Sequence, residues 1–204
     1  MNLSKHALLI IFSIISLVQE NIFAQENPLR SDIKIELGVN RSELGLNKLK
    51  NEEISGGVGW NANLLYQIHK GIFFGETGLG YRKMKFLISE DLSQTQTFTA
   101  RASSINIPLL IGTNFLKGNY KNLPILKTGI NLDYTLDLNT EHPNFLTKSD
   151  IQRFNLTYNI SVGLKLNKVE LLLSYNTDLK KYVKVIDEKN KYVGLKISYN
   201  IFSM

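Results

Sequence analysis

The sequence contains no cysteine, and this absence removes several kinds of chemistry at once. Disulfide bonds, thiolate metal sites, cysteine nucleophiles and a lipidated N-terminal cysteine are all excluded. Proline is scarce as well, with 4 residues among 204. After the N-terminal segment 1–24, no apolar run approaches the roughly 20 residues of a transmembrane helix. The dominant pattern that remains is a regular alternation of apolar and polar residues.

Residues that could support catalysis are also few. The chain has 3 histidines, at positions 6, 69 and 142, which lie too far apart in the pattern to predict a metal site. His142 beside Glu141 is the one candidate for a catalytic pair at a barrel rim, although a solvated loop histidine is the simpler interpretation. No phosphate-binding glycine loop is present. We therefore expect no enzymatic activity, no catalytic, cofactor-binding or metal-binding residue, and no cofactor.

The N-terminal segment has the features of a secretory signal peptide. Lys5 and His6 precede the apolar run 7–18, and Ile22-Phe23-Ala24 ends in the small residue that a cleavage site requires. An uncleaved membrane anchor is the alternative, but this apolar run is short for a membrane span. We expect residues 1–24 to be removed and residues 25–204 to form a single domain.

The clearest alternation covers residues 154–166, where every even position is apolar and every odd position is polar, charged or glycine. Because a β-strand sends successive side chains to opposite faces, this segment predicts a strand with one apolar and one polar face. The segment is much longer than the strands of soluble proteins, which usually have about 5–6 residues. Its length suits a tilted strand that crosses a bilayer, which needs roughly 9–11 residues.

Eight such segments are found in the mature chain. They span about 32–41, 57–68, 72–86, 102–114, 125–138, 154–166, 169–181 and 191–202. Their connections alternate between short turns and long loops, and the long loops are 42–56, 87–101, 139–152 and 182–190. Short turns on one rim and long loops on the other are typical of outer-membrane barrels. We therefore predict an all-β fold, an eight-stranded antiparallel up-and-down transmembrane β-barrel in which the first and last strands pair.

The charges on the polar faces favour an apolar face that points outward to lipid. Strand parity places six cations on the inner face: Lys34, Arg82, Lys127, Arg153, Lys165 and Lys196. Six anions share that face: Glu36, Glu76, Asp133, Asp137, Glu170 and Asp178. An eight-stranded barrel is just wide enough for side chains to fill it, and buried charges need partners. The equal numbers predict a plugged lumen rather than an ion-selective channel.

Aromatic residues lie near both ends of the apolar faces, as in the aromatic girdles of membrane barrels. The residues expected at the long-loop rim are Trp60, Tyr81 and Phe154, and those at the short-turn rim are Tyr66, Phe73 and Tyr199. A soluble lipocalin-like barrel, with its apolar faces inside, is the alternative arrangement.

Three local features carry further expectations. Asp133 and Asp137 fall on one inner face and are candidates for an acid–base pair, with salt bridging inside the barrel as the simpler interpretation. Pro108 cannot donate to a ladder, so we expect a bulge or a bound water there. Residues 182–192 continue to alternate and predict a protruding hairpin whose edge could pair with a partner strand; a solvated loop is the alternative.

Several segments resemble a known family. They are Ser104-Ile105-Asn106-Ile107-Pro108-Leu109-Leu110-Ile111-Gly112, the strand Lys127 to Leu132 that follows it, and the later segment Ser174 to Leu179. The chain is similar here to the outer-membrane β-barrel domain family, often labelled porin family and common in Bacteroidetes. The resemblance covers residues 25–202 and implies an outer-membrane barrel, without implying a pore. Such barrels commonly end in an aromatic residue, whereas here Ile201 holds the outward parity and Phe202 is followed by two more residues.

These features predict a small integral outer-membrane protein with a structural, adhesive or accessory role, whose extracellular loops make the contacts. A narrow channel for small solutes is one alternative, and an accessory barrel of a secretion or surface-assembly machine is another. The expected partners are outer-membrane lipid, the barrel-insertion machinery at the C-terminal strand and a protein partner at the outer loops. The formal charge of +6 is spread along the chain, so we expect no nucleic-acid binding and a monomer.

Overall fold

The computed structural model describes residues 29–43, 52–90, 96–115, 122–141, 149–182 and 189–204. The alternating segments form strands, which are β1 (Arg30–Glu43), β2 (Glu52–Gly56), β3 (Val58–Lys70), β4 (Phe73–Glu90), β5 (Gln96–Asn114), β6 (Asn122–Thr140), β7 (Phe154–Leu166), β8 (Val169–Asp178) and β9 (Lys191–Ser203). Within the described residues, no helix is long and apolar enough to span a membrane. The predicted signal peptide lies outside the described ranges.

Two of these strands, β2 and β3, are parts of one wall strand. Both pair with β4, but Gly56 is opposite Phe86 while Trp60 is opposite Lys83. The β2–β3 side therefore holds one extra residue, which is a β-bulge at Gly57. The amide of Gly57 still donates to the carbonyl of Lys85 at 2.8 Å. Counted by wall strands, the barrel has the eight that the alternation predicts.

The wall closes on itself. Neighbouring strands pair antiparallel in the order β2-β4-β3-β1-β9-β8-β7-β6-β5, and an additional β4–β5 pairing completes the circle. The first and last strands are hydrogen-bonded over most of their length, from Asp32 opposite Ser203 to Glu43 opposite Lys191. This confirms the predicted eight-stranded up-and-down barrel and its closure. The strand predicted at 154–166 has those bounds in the structure.

Tight turns connect the strands at one rim. Gly71 has a φ of 65° between β3 and β4, a conformation that suits a residue without a Cβ. Asn167 has a φ of 58° between β7 and β8, where Leu166 and Val169 are paired. Asparagine is one of the few other residues that tolerate this region. These two tight turns identify this end of the barrel as the short-turn rim.

The barrel has the reverse polarity of a soluble protein, with apolar side chains on its outer surface and charged side chains in its interior. Leu37 and Leu195 on its outer surface are 53% and 62% exposed, whereas Lys34 and Glu76 in its interior are 1% and 4% exposed. The outward side chains of the described strands form an apolar band that carries no charge between Val39, Trp60 and Phe154 at one end and Ile68, Ile111 and Tyr199 at the other. This confirms the outward apolar face, and the lipocalin-like arrangement does not fit.

The predicted position of two charged residues is wrong. Ser103 is opposite Asp137 but Ser104 is opposite Thr135, so Leu136 is an extra residue in β6. This bulge reverses the parity that follows it: Asp137 points outward and Leu138 is buried inside. Asp133 and Asp137 therefore do not share a face, and the acid–base pair is excluded.

Arg153 is also outside rather than inside. It directly precedes β7, which begins at Phe154, and its side chain is exposed. Its carbonyl accepts a hydrogen bond from the amide of Thr135 at 2.7 Å. The alternation of β7 therefore cannot be extended back to this position.

Among the described residues, half of the wall is taller than the rest. The predicted loop 87–101 is mostly strand, because β4 continues to Glu90 and β5 begins at Gln96. From Lys83 to Glu90, β4 extends by about 23 Å at roughly 3.3 Å per residue. We call the extended parts of β2, β4, β5 and β6 the tall wall. The low wall consists of β7, β8, β9 and β1, and there β8 ends at Asp178.

Two irregularities depart from the predicted details. The β4–β5 ladder lacks pairs at Gly78 and Leu79, opposite Pro108, but the register is the same on both sides, so no bulge forms there. A bulge does occur near the C-terminus, where Ile33 is opposite Phe202 and Lys34 is opposite Asn200. Ile201 and Phe202 are consequently both exposed on the outer surface, 47% and 54%.

Candidate functional site

The lumen is where most buried charge lies, and its lower part holds a closed ionic cluster. Lys34 contacts Glu170 at 2.5 Å and Glu76 at 3.4 Å, and Lys127 contacts the same two carboxylates at 3.0 and 2.9 Å. We call these four residues the Lys–Glu square. Each side chain in it is at most 2% exposed. Two ammonium groups and two carboxylates cancel, which is the condition under which buried ions are tolerated.

The square is sealed toward the short-turn rim by apolar side chains. Phe74, Ile125 and Leu172 form a buried cluster there. The Phe74 ring lies 5.8 Å from the Nζ atoms of both Lys34 and Lys127, within cation–π range. A Cβ at Gly112 would collide with this ring, so the glycine makes room for the seal.

Beyond this seal lies a smaller ion pair at the rim itself. His69 Nε2 is 3.0 Å from a carboxylate oxygen of Asp32, and Lys165 is 3.9 Å from the same oxygen. Asp32 is an interior carboxylate in addition to the six predicted to face inward. His69 is therefore hydrogen-bonded to a rim carboxylate in the structure.

The middle of the lumen is lined by amides. Glu36 contacts Lys196 at 3.0 Å and accepts hydrogen bonds from Asn63 and Ser198. Asn159 donates to Asn176 at 2.6 Å. A cavity lined by Glu36, Asn63, Asn176 and Lys196, together with Asn61, Asn106 and Asn131, has a volume of about 20 Å³, which is room for about one water molecule.

A second ionic cluster lies above the amides. Arg82 contacts Asp133 at 3.0 Å and donates to the hydroxyl of Tyr192. The hydroxyl of Thr157 lies 2.7 Å from Asp133 and 2.9 Å from Asp178. We call these five residues the Arg–Asp layer. All of them are at most 5% exposed.

An apolar cap closes the lumen toward the long-loop rim. Its buried members are Met84, Phe86, Ala100, Ala102, Leu138, Ile151 and Tyr182. The rings of Phe86 and Tyr182 are 6.0 Å apart, and the Tyr182 hydroxyl lies 3.3 Å from that of Thr135. Tyr182 follows the end of β8, and burial raises its pKa to about 12. The lumen is thus closed by apolar side chains at both ends.

The sequence contains a second pattern, besides strand parity, that indicates this cap. Along β4 the apolar residues switch faces: Tyr81 points outward and Arg82 inward, after which Lys83 and Lys85 point outward and Met84 and Phe86 inward. Such an inversion marks the point where a strand leaves lipid, because the outer face then meets water. Leu138 could not have been found this way, since its position depends on the bulge at Leu136.

The structure brings together most of the charges that were predicted inside. Among the described residues, the inner face holds five cations, Lys34, Arg82, Lys127, Lys165 and Lys196. It also holds six carboxylates, Asp32, Glu36, Glu76, Asp133, Glu170 and Asp178. Among the described residues, the predicted equal count is therefore not met, and their side chains occupy the interior as a plugged lumen requires.

The candidate catalytic pair lies at the edge of the described chain. Glu141 is exposed, and its carboxylate accepts a hydrogen bond from the amide of Thr99 at 2.9 Å, whereas His142 is outside the described residues. The hairpin predicted at 182–192 also falls mostly outside them. Across the described ranges, no three His, Asp or Glu side chains are grouped so that they could hold a metal ion.

Known proteins that are similar to this chain agree with a closed barrel that has an apolar exterior. The family model described as outer membrane protein beta-barrel domain matches residues 23–181, which is most of the chain. The chain belongs to this family. It is a small outer-membrane β-barrel protein, and its apolar band contacts the lipid of that membrane. No curated protein matches the sequence.

Solved structures of outer-membrane proteins are similar to this chain at low sequence identity. The crystal structure of OprG from Pseudomonas aeruginosa is 12% identical with a TM-score of 0.51, over 85% of this chain and 94% of that chain. The crystal structure of Neisserial surface protein A is 9% identical with a TM-score of 0.47, over 84% of this chain and 99% of that chain. At 12% identity, the similarity to OprG concerns the barrel fold alone.

Proposed function

We propose that this barrel is a non-conducting outer-membrane anchor with a structural, adhesive or accessory role, in which the extracellular part makes the contacts. The observation that carries the proposal is the filled lumen. An apolar cap at each end, two buried ionic clusters and a central cavity of about 20 Å³ leave no room for a hydrated ion to pass. A conducting pore would need a water-filled path with charges exposed to it.

Planar bilayer recording tests the closed lumen. We expect no resolved single-channel conductance from the purified barrel. A conducting porin recorded in the same bilayers serves as the positive control. Reproducible unitary currents from the unaltered protein would contradict the proposal and favour the narrow-channel alternative.

The tall wall is the proposed contact surface. It raises a strand-built platform beyond the apolar band on one side of the barrel, whereas β8 ends at Asp178 on the other side. The ladder is paired as far as Glu90 opposite Gln96, so its backbone is held in a fixed register, which suits recognition of a partner better than an irregular loop.

Shortening that hairpin tests the assignment. Residues 87–99 are replaced by an Asn-Gly turn, a favoured two-residue connection between antiparallel strands, which joins the paired residues Phe86 and Ala100 and leaves Arg101 in place. Crosslinking in native outer membranes should then lose the proteins that the unaltered barrel captures, while heat-modifiable gel migration shows that the shortened barrel still folds. Capture of the same proteins by both forms would rule out the tall wall as the contact surface.

We also propose that the chain has no enzymatic activity, because the carboxylates and cations of its lumen are sealed from any substrate by the two apolar ends.

Residues 1–24 are proposed to be a signal peptide, which N-terminal sequencing of the membrane-extracted protein would test. The exposed Phe202 supports the C-terminal strand as the segment read by the insertion machinery. Replacement of Phe202 by Ala should reduce the fraction of heat-modifiable barrel in membranes relative to the matched variant Ile201→Ala.

A further inference from the structure

A belt of basic side chains surrounds the barrel where the apolar band ends at the long-loop rim. Six wall strands carry an exposed or half-exposed cation at or next to this level: Arg41 on β1, Lys83 on β4, Arg101 on β5, Arg153 before β7, Lys180 after β8 and Lys191 on β9. The strand residues Arg41, Lys83, Arg101 and Lys191 lie on the outward face. The long-loop rim faces the cell exterior in barrels of this kind, so the belt lies at the outer leaflet.

The belt is densest on β4 and β5. Lys85 is directly opposite Arg101 in the ladder, and Lys83 is two pairs lower, opposite Ser103. Like charges that are directly opposite on one face of a sheet repel each other and destabilise the pairing. Asp137 is opposite Ser103 on the next strand and also points outward. Among the described side chains here, three cations are therefore grouped with one carboxylate, which leaves an excess of positive charge.

The height of this group matches lipid headgroups. Lys83 is opposite Trp60, and the Trp60 ring lies 5.4 Å from that of Tyr81. Tryptophan and tyrosine concentrate at the interface between lipid tails and water. Lys83 therefore lies at that interface, level with Trp60, and Lys85 lies roughly 7 Å beyond it, where the phosphate groups of lipids are found.

We propose that Lys83, Lys85 and Arg101 form a binding site for the phosphate groups of a phosphorylated lipid in the outer leaflet. A phosphate between β4 and β5 would offset the repulsion between Lys85 and Arg101. The planar guanidinium of Arg101 can hold two phosphate oxygens at once, while the two ammonium groups act as point charges. The lipid tails would then lie along the apolar band below Tyr81.

The opposite rim provides a matched control. Arg30, Lys70 and Lys168 are exposed cations at the short-turn rim, equal in number to those of the proposed site. They lie at strand ends and turns rather than opposite one another in a ladder. Replacing them changes the net charge by the same amount without affecting the β4–β5 site.

The chain also contains a built-in reporter. Trp60 is its 1 tryptophan, and it is the ladder partner of Lys83. Trp60 fluorescence of the detergent-solubilised full barrel is titrated with bisphosphorylated lipid A and with the same lipid after removal of its phosphates. We expect saturable binding of the phosphorylated form only. Equal binding of the dephosphorylated lipid, or saturation by inorganic phosphate with the same affinity, would overturn the assignment.

The variant with Lys83→Gln, Lys85→Gln and Arg101→Gln should bind about a hundredfold more weakly, at roughly fivefold per charge removed. The control with Arg30→Gln, Lys70→Gln and Lys168→Gln should bind within about twofold of the unaltered barrel. Heat-modifiable migration shows that each variant is folded. If the triple variant fails to fold, Lys85→Gln alone should still lose about fivefold. The proposal is wrong if the β4–β5 variants bind as tightly as the control.

Discussion

The two ionic clusters of the lumen use the same chemistry but differ in their charge balance. The Lys–Glu square has two ammonium groups for two carboxylates, and each ion contacts both members of opposite sign. Lys165 makes a further contact with Glu170 at 3.9 Å. Among its described members, the Arg–Asp layer has one guanidinium for two carboxylates. The first cluster is complete in itself, whereas the second is one positive charge short.

Hydrogen bonds show how the Arg–Asp layer accommodates its deficit. Thr157 has one hydroxyl proton but lies within hydrogen-bond distance of both Asp133 and Asp178. Both contacts can be hydrogen bonds only if one carboxyl group carries a proton of its own. Arg82 contacts Asp133, which leaves Asp178 as the group that holds the extra proton. The comparison indicates that the square depends on its charges, while the upper layer depends on them less.

The largest expected effect is the loss of one carboxylate from the square. Glu76 contacts Lys34 and Lys127 and accepts a hydrogen bond from Gln67. The change Glu76→Ala would leave two buried ammonium groups with a single carboxylate, which should destabilise the barrel by about 3–5 kcal/mol. Urea unfolding in phospholipid vesicles measures this loss. The exposed variant Glu141→Gln is the control and should be unchanged within about 0.5 kcal/mol. A similar small change for Glu76→Ala would show that the square does not stabilise the fold.

The next largest loss of stability is expected from truncation in the cap above the Arg–Asp layer. Phe86 is 1% exposed and packs against Tyr182. Truncation by Phe86→Ala should cost about 3 kcal/mol, at the lower end of the range for buried aromatic residues, because the cap lies outside the membrane and can partly collapse. The same unfolding measurement checks it. The outward Phe154→Ala, at the lipid interface, should cost less; the reverse order would mean that the cap is not packed as described.

Sequence periodicity predicted the wall far better than the ends of the lumen. All eight wall strands and the outward apolar face follow from the alternation, because a side chain in lipid must be apolar at every second position. Two inner charges were misplaced where parity fails: Asp137 follows the bulge at Leu136, and Arg153 precedes the first residue of β7. Bulges depend on the neighbouring strand, so alternation within one segment cannot reveal them.

The sequence also could not predict which charged residues contact one another inside the lumen. The sequence indicated which charges face inward but not which ones meet, since Lys34 and Glu170 are separated by 136 residues and come together only through closure of the wall. The tall wall was missed for a different reason. Residues 87–101 were assigned to a loop because strands were expected to end with the membrane, whereas β4 and β5 continue to pair in water.

Alkaline pH should destabilise the cap through Tyr182. Burial raises the pKa of Tyr182 from 10.0 to about 12, so the folded form keeps the phenol proton more tightly than the unfolded chain. This stabilising contribution is complete below pH 10 and is lost as the pH rises toward 12, by about 1.4 kcal/mol per pH unit. Unfolding free energies measured between pH 9 and pH 12 should fall more steeply for the unaltered barrel than for Tyr182→Phe. Parallel slopes would show that Tyr182 ionises equally in both states.

The smallest expected effect separates the two ionic clusters most directly. In Asp178→Asn the side-chain amide can donate to the Thr157 hydroxyl in place of the extra proton, and the layer then has one guanidinium for one carboxylate. We expect the unfolding free energy to change by less than about 1 kcal/mol, in either direction. The matched change in the square, Glu170→Gln, removes a charge that both Lys34 and Lys127 contact and should cost about 3 kcal/mol or more. If Asp178→Asn is as costly as Glu170→Gln, both carboxylates of the upper layer are ionised, and its deficit must be balanced by a cation rather than by a proton.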